Sequence, residues 1–269
     1  MNRIITSIVV PLILLAASPA NAVNFDVRLV DEQKGVMEVA DFSSLSMAIA
    51  LAMQPRWSGP ASTMGSRGFD IGYNFIQNSI DGDAQYWKDA VPERTLNGLQ
   101  TSQIHFRKGL PYSFELGGTV SSLHESRLYG VGFELKWAFV ESFKYAPDFG
   151  VRTHVSTTLG SRDLSLLNAG VDSLLSKSLG LGGIMQATPF VGYSWCYTQA
   201  RSHVLGITQP GEVELDTDII DAEHMLSGRL LMGVLLHASW AELGFEAAIP
   251  VSKRNTPISS YTMRLGPQF

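Results

Sequence analysis

From Gly68 to the C-terminus, apolar and polar residues alternate one by one. The clearest run places Tyr129, Val131, Phe133, Leu135, Trp137 and Phe139 on one parity and Gly130, Gly132, Glu134, Lys136 and Ala138 on the other. A helix would scatter that apolar set around its circumference, whereas a strand gathers it on one face. The same period of two covers Phe69 to Phe75, Ile104 and Phe106, Leu110 to Val120, Phe149 to Leu159, Leu167 to Leu175, Val191 to Tyr197, Leu226 to Leu236, Leu243 to Ile249, and Tyr261 to Phe269. The pattern predicts an all-β fold of about ten antiparallel strands, with twelve as the alternative count.

The connections between these runs sort into two kinds. If the first strand rises from one side, Lys108-Gly109, Glu141 to Pro147, Leu179 to Gly182 and the few residues around Ala238 fall at that side. Ser79 to Asn97 and Gln199 to Glu223, the two long connections, both fall at the other. Long loops at one end and short turns at the other are expected of a transmembrane antiparallel β-barrel. A soluble lipocalin-like barrel would turn its apolar parity inward. Ten strands cannot enclose six large residues from Tyr129 to Phe139 together with Tyr193, Trp195, Tyr197, Tyr112 and Phe114. The aromatic parity is therefore expected to face lipid and the Gly- and Ser-rich parity the lumen.

That orientation lines the lumen with His105, Arg107, Glu115, Glu134, Lys136, Arg152, His154, Asp172, Arg229, Glu242, Glu246 and Arg264, with Asp70 and His237 beside them. Their signs nearly balance. The set suits either a network of ion pairs packing a narrow lumen or a polar pore for small solutes.

The last strand ends in Phe269, with Tyr261, Met263 and Leu265 on its parity. It resembles the C-terminal strand of bacterial outer-membrane β-barrels, the signal read by their assembly machinery. Pro267 departs from that pattern, where the family has an aromatic or aliphatic residue. At the other terminus, Asn2-Arg3, an apolar run from Ile4 to Ala17, and Ala20-Asn21-Ala22 read as a secretory signal peptide cleaved after Ala22. The apolar run is too short to span a bilayer and carries Pro11. The resemblance implies a Gram-negative outer-membrane location. Its expected partners are the secretion machinery, the barrel assembly machinery, and outer-membrane lipid and lipopolysaccharide.

Between signal and barrel, residues 23–67 form a distinct segment ahead of a barrel over 68–269. Asp41 is placed to cap a helix over Phe42 to Met53, with Phe42, Leu45, Ile49, Ala52 and Met53 on one face and Pro55 ending it. It is read either as a plug in the lumen or as a periplasmic helix against the rim.

Composition excludes more than it identifies. The 269 residues carry a formal charge of −5 with no cluster of Lys and Arg, so nucleic acid is not an expected partner. Cys196 is the sole cysteine, which rules out an intramolecular disulfide. A mean hydropathy of +0.09 suits a barrel, which spreads its apolar residues along alternating strands.

Catalytic chemistry has weaker support. Asp81, Asp83, Asp216, Asp218 and His224 superficially supply the acids and histidine of an outer-membrane hydrolase, and Ser156 lies near His154. No motif joins nucleophile, base and orienter, so no catalytic residue is assigned. Glu212, Glu214, Asp216 and Asp218 lack the spacing of a known Ca²⁺ loop. No metal or cofactor is expected. The leading functional expectation is a narrow channel or a structural envelope component, with a protease-like or lipase-like hydrolase as the alternative.

Overall fold

A computed structural model describes residues 30–31, 35–36, 39–91, 96–161, 164–202, 223–251 and 258–267. The expected signal peptide, the acidic run Glu212 to Asp218 and Phe269 lie outside the described residues.

Ten strands form the barrel: β1 Phe69–Ser79, β2 Leu99–Leu110, β3 Phe114–Leu123, β4 Tyr129–Val140, β5 Asp148–Leu159, β6 Leu164–Ser176, β7 Met185–Ser202, β8 Glu223–Ala238, β9 Ala241–Pro250 and β10 Ser259–Pro267. Each pairs antiparallel with its sequence neighbour, and β10 returns to β1 with Leu265 opposite Tyr73 and Ser259 opposite Ser79. No barrel edge is left open, as hydrocarbon requires, because an unpaired ladder there costs several kcal/mol per backbone group. A short strand, Leu179–Leu181, extends the β6–β7 turn against β7.

The two faces separate as the alternation predicts. Tyr129, Val131, Phe133, Leu135, Trp137 and Phe139 of β4 are all exposed, while Glu134 and Lys136 are buried inside. Ten residue steps from Tyr129 to Phe139 span roughly 33 Å along the strand. At a tilt of about 40° that is roughly 25 Å of height, a match to the apolar band of a membrane barrel. An aromatic cluster marks the short-turn end of this band. Phe114 stacks on Trp137 at 5.3 Å, and Trp137 and Phe149 flank Phe139 at 3.9 and 5.9 Å. At the other end Tyr129 and Tyr261 face outward, where amphipathic rings suit the interface.

One turn differs from its expected place. Lys108-Gly109 stays in the ladder, opposite Leu116 and Glu115, and the chain reverses at Pro111–Ser113, where Tyr112 and Ser113 adopt φ of 63° and 60°. Tyr112 is thus a turn residue and not a strand residue. Gly109 serves close approach instead. A Cβ there would stand 1.9 Å from the Gly65 carbonyl oxygen, where the N-terminal segment passes.

That segment is inside the barrel. Helix α1, Val39–Met53, lies at the long-connection end and contacts β2, β3, β6, β7 and β8. It also packs on a second short helix, α2 (Gln85–Ala90), in the β1–β2 connection. The one-sided apolar face expected of α1 proves too narrow. From Leu45 to Met53 every residue is buried, including Ser46 and Ala50, because the barrel wall surrounds the helix. Trp87 and Val91 cover it from the mouth, and Leu99, Leu123, Leu164 and Leu166 line the wall. Asp41 sits within the first turn, not at a cap.

Candidate functional site

Pro55 ends α1 by removing an N–H and clashing with the preceding turn. The helix's last carbonyls then find partners from the wall and from the next turn of chain. Asn168 Nδ2 donates to Ala50 O at 2.9 Å, Arg56 Nη2 to Leu51 O at 2.9 Å, and Ser121 Oγ to Met53 O at 3.4 Å. Arg56 also places its positive charge at the negative end of the helix dipole.

Beyond α1, residues 54–63 run through the lumen without regular structure, and the lumen side chains bind their backbone. Arg107 Nη2 donates to Arg56 O at 3.0 Å and Trp57 O at 2.7 Å. Arg152 donates to Arg56 O at 2.8 Å and Pro55 O at 3.0 Å. Arg264 Nη1 reaches Ser58 O at 2.5 Å, and Lys136 Nζ reaches Ser62 O at 3.0 Å. The backbone N–H groups are met in turn: Arg56 N donates to Gln103 Oε1 at 3.1 Å, Ser58 N to Glu246 Oε2 at 2.7 Å, and Ala61 N to Ser176 Oγ at 2.9 Å. Trp57 lies under Arg152 and Lys136, at 5.3 and 5.9 Å from its ring centre. A segment with no secondary structure can stay buried here because the wall supplies the partners a ladder would.

The same cations are held by carboxylates. Glu134 bridges Arg107 (2.5 Å) and Arg152 (2.6 Å), and Asp172 takes Arg152 from the other side at 2.5 Å. Arg264 spans Asp70 at 2.7 Å and Glu242 at 2.6 Å, and Lys136 pairs with Glu115 at 3.0 Å. Arg229 bonds Gln54 Oε1, and Gln54 Nε2 lies 3.0 Å from His154 Nε2. All twelve lumen residues named from the sequence are thus buried on the inner face. Counting Arg56, six buried cations (Arg56, Arg107, Lys136, Arg152, Arg229, Arg264) stand against seven buried anions (Asp70, Glu115, Glu134, Asp148, Asp172, Glu242, Glu246) among the described residues.

Small residues of the wall make room for the segment. A Cβ on Gly132 would stand 2.7 Å from Pro55 Cγ, and one on Gly150 2.6 Å from Ala61 O. At the short-turn end a polar cavity of about 130 Å³ lies between Ser62, Glu115, Lys136, His237 and Glu242. It is large enough for a few waters.

His105 and His154 are each held by polar groups of the lumen. His105 Nε2 lies 3.1 Å from Asp70 Oδ2, and its Nδ1 lies 3.3 Å from Asn74 Nδ2. His154 meets Gln54. Neither bonds a nucleophile among the described residues, and Ser156 is not brought to His154 by a hydrogen bond. In the loops, Asp81 and Asp83 close a turn on one another, Asp83 N donating to Asp81 Oδ1 at 3.1 Å, with Lys88 at 3.5 Å from Asp83. No group of three or more potential metal ligands gathers among the described residues. The plug residues Gln54, Arg56, Trp57 and Ser58 were not singled out by sequence. Their one signal was an Arg-Trp pair between two prolines. Of the terminal-strand residues, Tyr261, Met263 and Leu265 face outward.

No family profile and no curated protein matches the sequence. Among solved structures, the chain is similar to Ail, the attachment invasion locus protein of Yersinia pestis, at 10% identity over 77% of this chain and 100% of that one, with a TM-score of 0.28. It is similar to the KdgM porin at 10% identity over 74% and 98%, TM-score 0.31, and to LpxR from Salmonella typhimurium at 10% over 75% and 99%, TM-score 0.37. The barrel's own geometry is that of a transmembrane β-barrel: a closed antiparallel ladder, apolar outside and charged inside.

Proposed function

We propose that this outer-membrane barrel is a non-conducting envelope component, sealed by its own N-terminal segment, which it carries through the lumen to the cell surface. The observation that carries this reading is the grip of Arg107, Arg152 and Arg264 on the carbonyls of Pro55, Arg56, Trp57 and Ser58. Hydrogen bonds to charged groups contribute about 1.5–3 kcal/mol each, so several together hold the segment against thermal exit. A lumen filled in this way supports a seal over a solute pore.

Orientation follows from chain direction. α1 lies at the long-connection end and residues 64–68 leave at the short-turn end, where β1 begins. Short turns are periplasmic in bacterial barrels, and on that rule α1 belongs at the outer mouth and not in the periplasm.

Two measurements test the reading. In planar bilayers the intact protein should give no steady ion current, and deletion of residues 23–62 should yield a folded, heat-modifiable barrel that conducts; steady conductance by the intact protein would overturn the seal. In a Cys196→Ser background, Ala40→Cys and Asp83→Cys should react on whole cells with a membrane-impermeant thiol reagent, and Lys144→Cys only after the outer membrane is broken. Protection of Ala40→Cys on cells where Asp83→Cys reacts would remove the surface placement.

A further inference from the structure

The lipid-facing side of β1–β3 carries a polar group that neither the seal nor the apolar belt requires. Tyr73 Oη lies 2.6 Å from Ser102 Oγ, and Ser102 Oγ lies 2.6 Å from His124 Nε2. Ladder register sets its depth. Ser102 pairs with Phe75 and Ser122, and Ser122 pairs with Tyr129, so Ser102 lies in the strand row that carries the aromatic at the long-connection end. Such aromatics mark the membrane interface. One row further toward the mouth, Gln77 and Gln100 face each other, and the His124 N–H donates to the Gln100 carbonyl at 2.8 Å. A cavity of about 210 Å³ opens beside the histidine, walled by Gln77, Asn97, Gly98, Gln100 and Glu125.

From this juxtaposition we propose that Ser102 and His124 form a hydrolytic site for the acyl esters of membrane lipid. The hydrogen-bond chain has a single consistent direction when the imidazole is neutral and accepts at Nε2: Tyr73 donates to Ser102 Oγ, and Ser102 donates to His124. A serine hydroxyl so held is a nucleophile already paired with its base. Lipid ester carbonyls lie at the interface, the level at which the register places Ser102. In the reaction, Ser102 Oγ adds to the ester carbonyl carbon as its proton passes to His124 Nε2. The carbon–oxygen bond to the alcohol then breaks, and that oxygen takes the proton from His124. Water, deprotonated by the same nitrogen, attacks the acyl-serine, releasing fatty acid and restoring the Ser102 hydroxyl. The side-chain amides of Gln77 and Gln100, in the cavity wall, are the donors available to the tetrahedral oxyanion. Tyr73 is a positioning residue.

The test uses the folded full-length protein in detergent micelles. An alkyl fluorophosphonate should label Ser102, identified by peptide mass, and fatty acid should be released from mixed micelles. One arm contains a glycerophospholipid and the other lipid A, so the source of the ester is read directly. Ser102→Ala and His124→Ala should each lower release by about 100-fold or more while keeping heat-modifiable mobility. Ser122→Ala, on the same outer row, should retain full activity. Tyr73→Phe should shift the pH dependence of the labelling rate with the final extent of labelling unchanged. Release that survives Ser102→Ala, or an unlabelled Ser102 with no release in either arm, would overturn the assignment.

Discussion

Replacing Glu134 by Gln should destabilise the folded barrel by about 3–5 kcal/mol, more than any other single change of similar size in the lumen. Glu134 is buried and bridges two guanidiniums, Arg107 at 2.5 Å and Arg152 at 2.6 Å. Both also hold the carbonyl of Arg56, so the carboxylate orients the cations that grip the plug. Glutamine keeps the shape but supplies one neutral acceptor where two charge-assisted bonds ended, leaving the Arg107 and Arg152 guanidiniums against a neutral group in a buried site. Urea unfolding of the barrel in lipid vesicles measures the effect. A change below about 1 kcal/mol would mean that the network is solvated and that the plug is held by its apolar contacts alone. Loss of this grip should also appear as intermittent conductance in planar bilayers, tying the stability effect to the seal.

Placing Arg at Phe133, the adjacent position, should cost about 2–4 kcal/mol by a different mechanism. Phe133 is 52% exposed on the outer face near the middle of the band, so its replacement puts a charge into hydrocarbon. Arg at Gly132 is one residue away and on the other face. There the new side chain meets Pro55 and Thr119, since even a Cβ would stand 2.7 Å from Pro55 Cγ and 2.5 Å from Thr119 Oγ1. It should displace the plug, so that deleting residues 23–62 relieves the Gly132→Arg defect and does nothing for Phe133→Arg. Insertion into vesicles, followed by heat-modifiable mobility, separates the two. Equal tolerance at both positions, or relief of both by the deletion, would contradict the assignment of faces.

The sequence by itself determined the strands, their two faces and the direction in which the chain climbs. These are local properties: a period of two is visible within any six residues, and the separation of long from short connections needs only a count. It also determined most of the wall charges that enter the lumen, from Asp70 and His105 on the first two strands to Arg264 on the last, but neither Asp148 nor the plug's Arg56. Only the tertiary structure decided what those charges bind. Residues 54–63 have no periodicity to read, and their partners lie far away in sequence, Ser58 with Arg264 and Glu246. The same holds for Lys108-Gly109, which looked like a turn until the approach of Gly65 explained its glycine, and for Ser102 and His124, which meet only through the register of neighbouring strands. A helix buried on all sides reads like an amphipathic one when the wall that covers its second face comes from other strands of the barrel. Local alternation is written residue by residue, but the occupant of a closed lumen is chosen by which backbone groups the distant walls can satisfy.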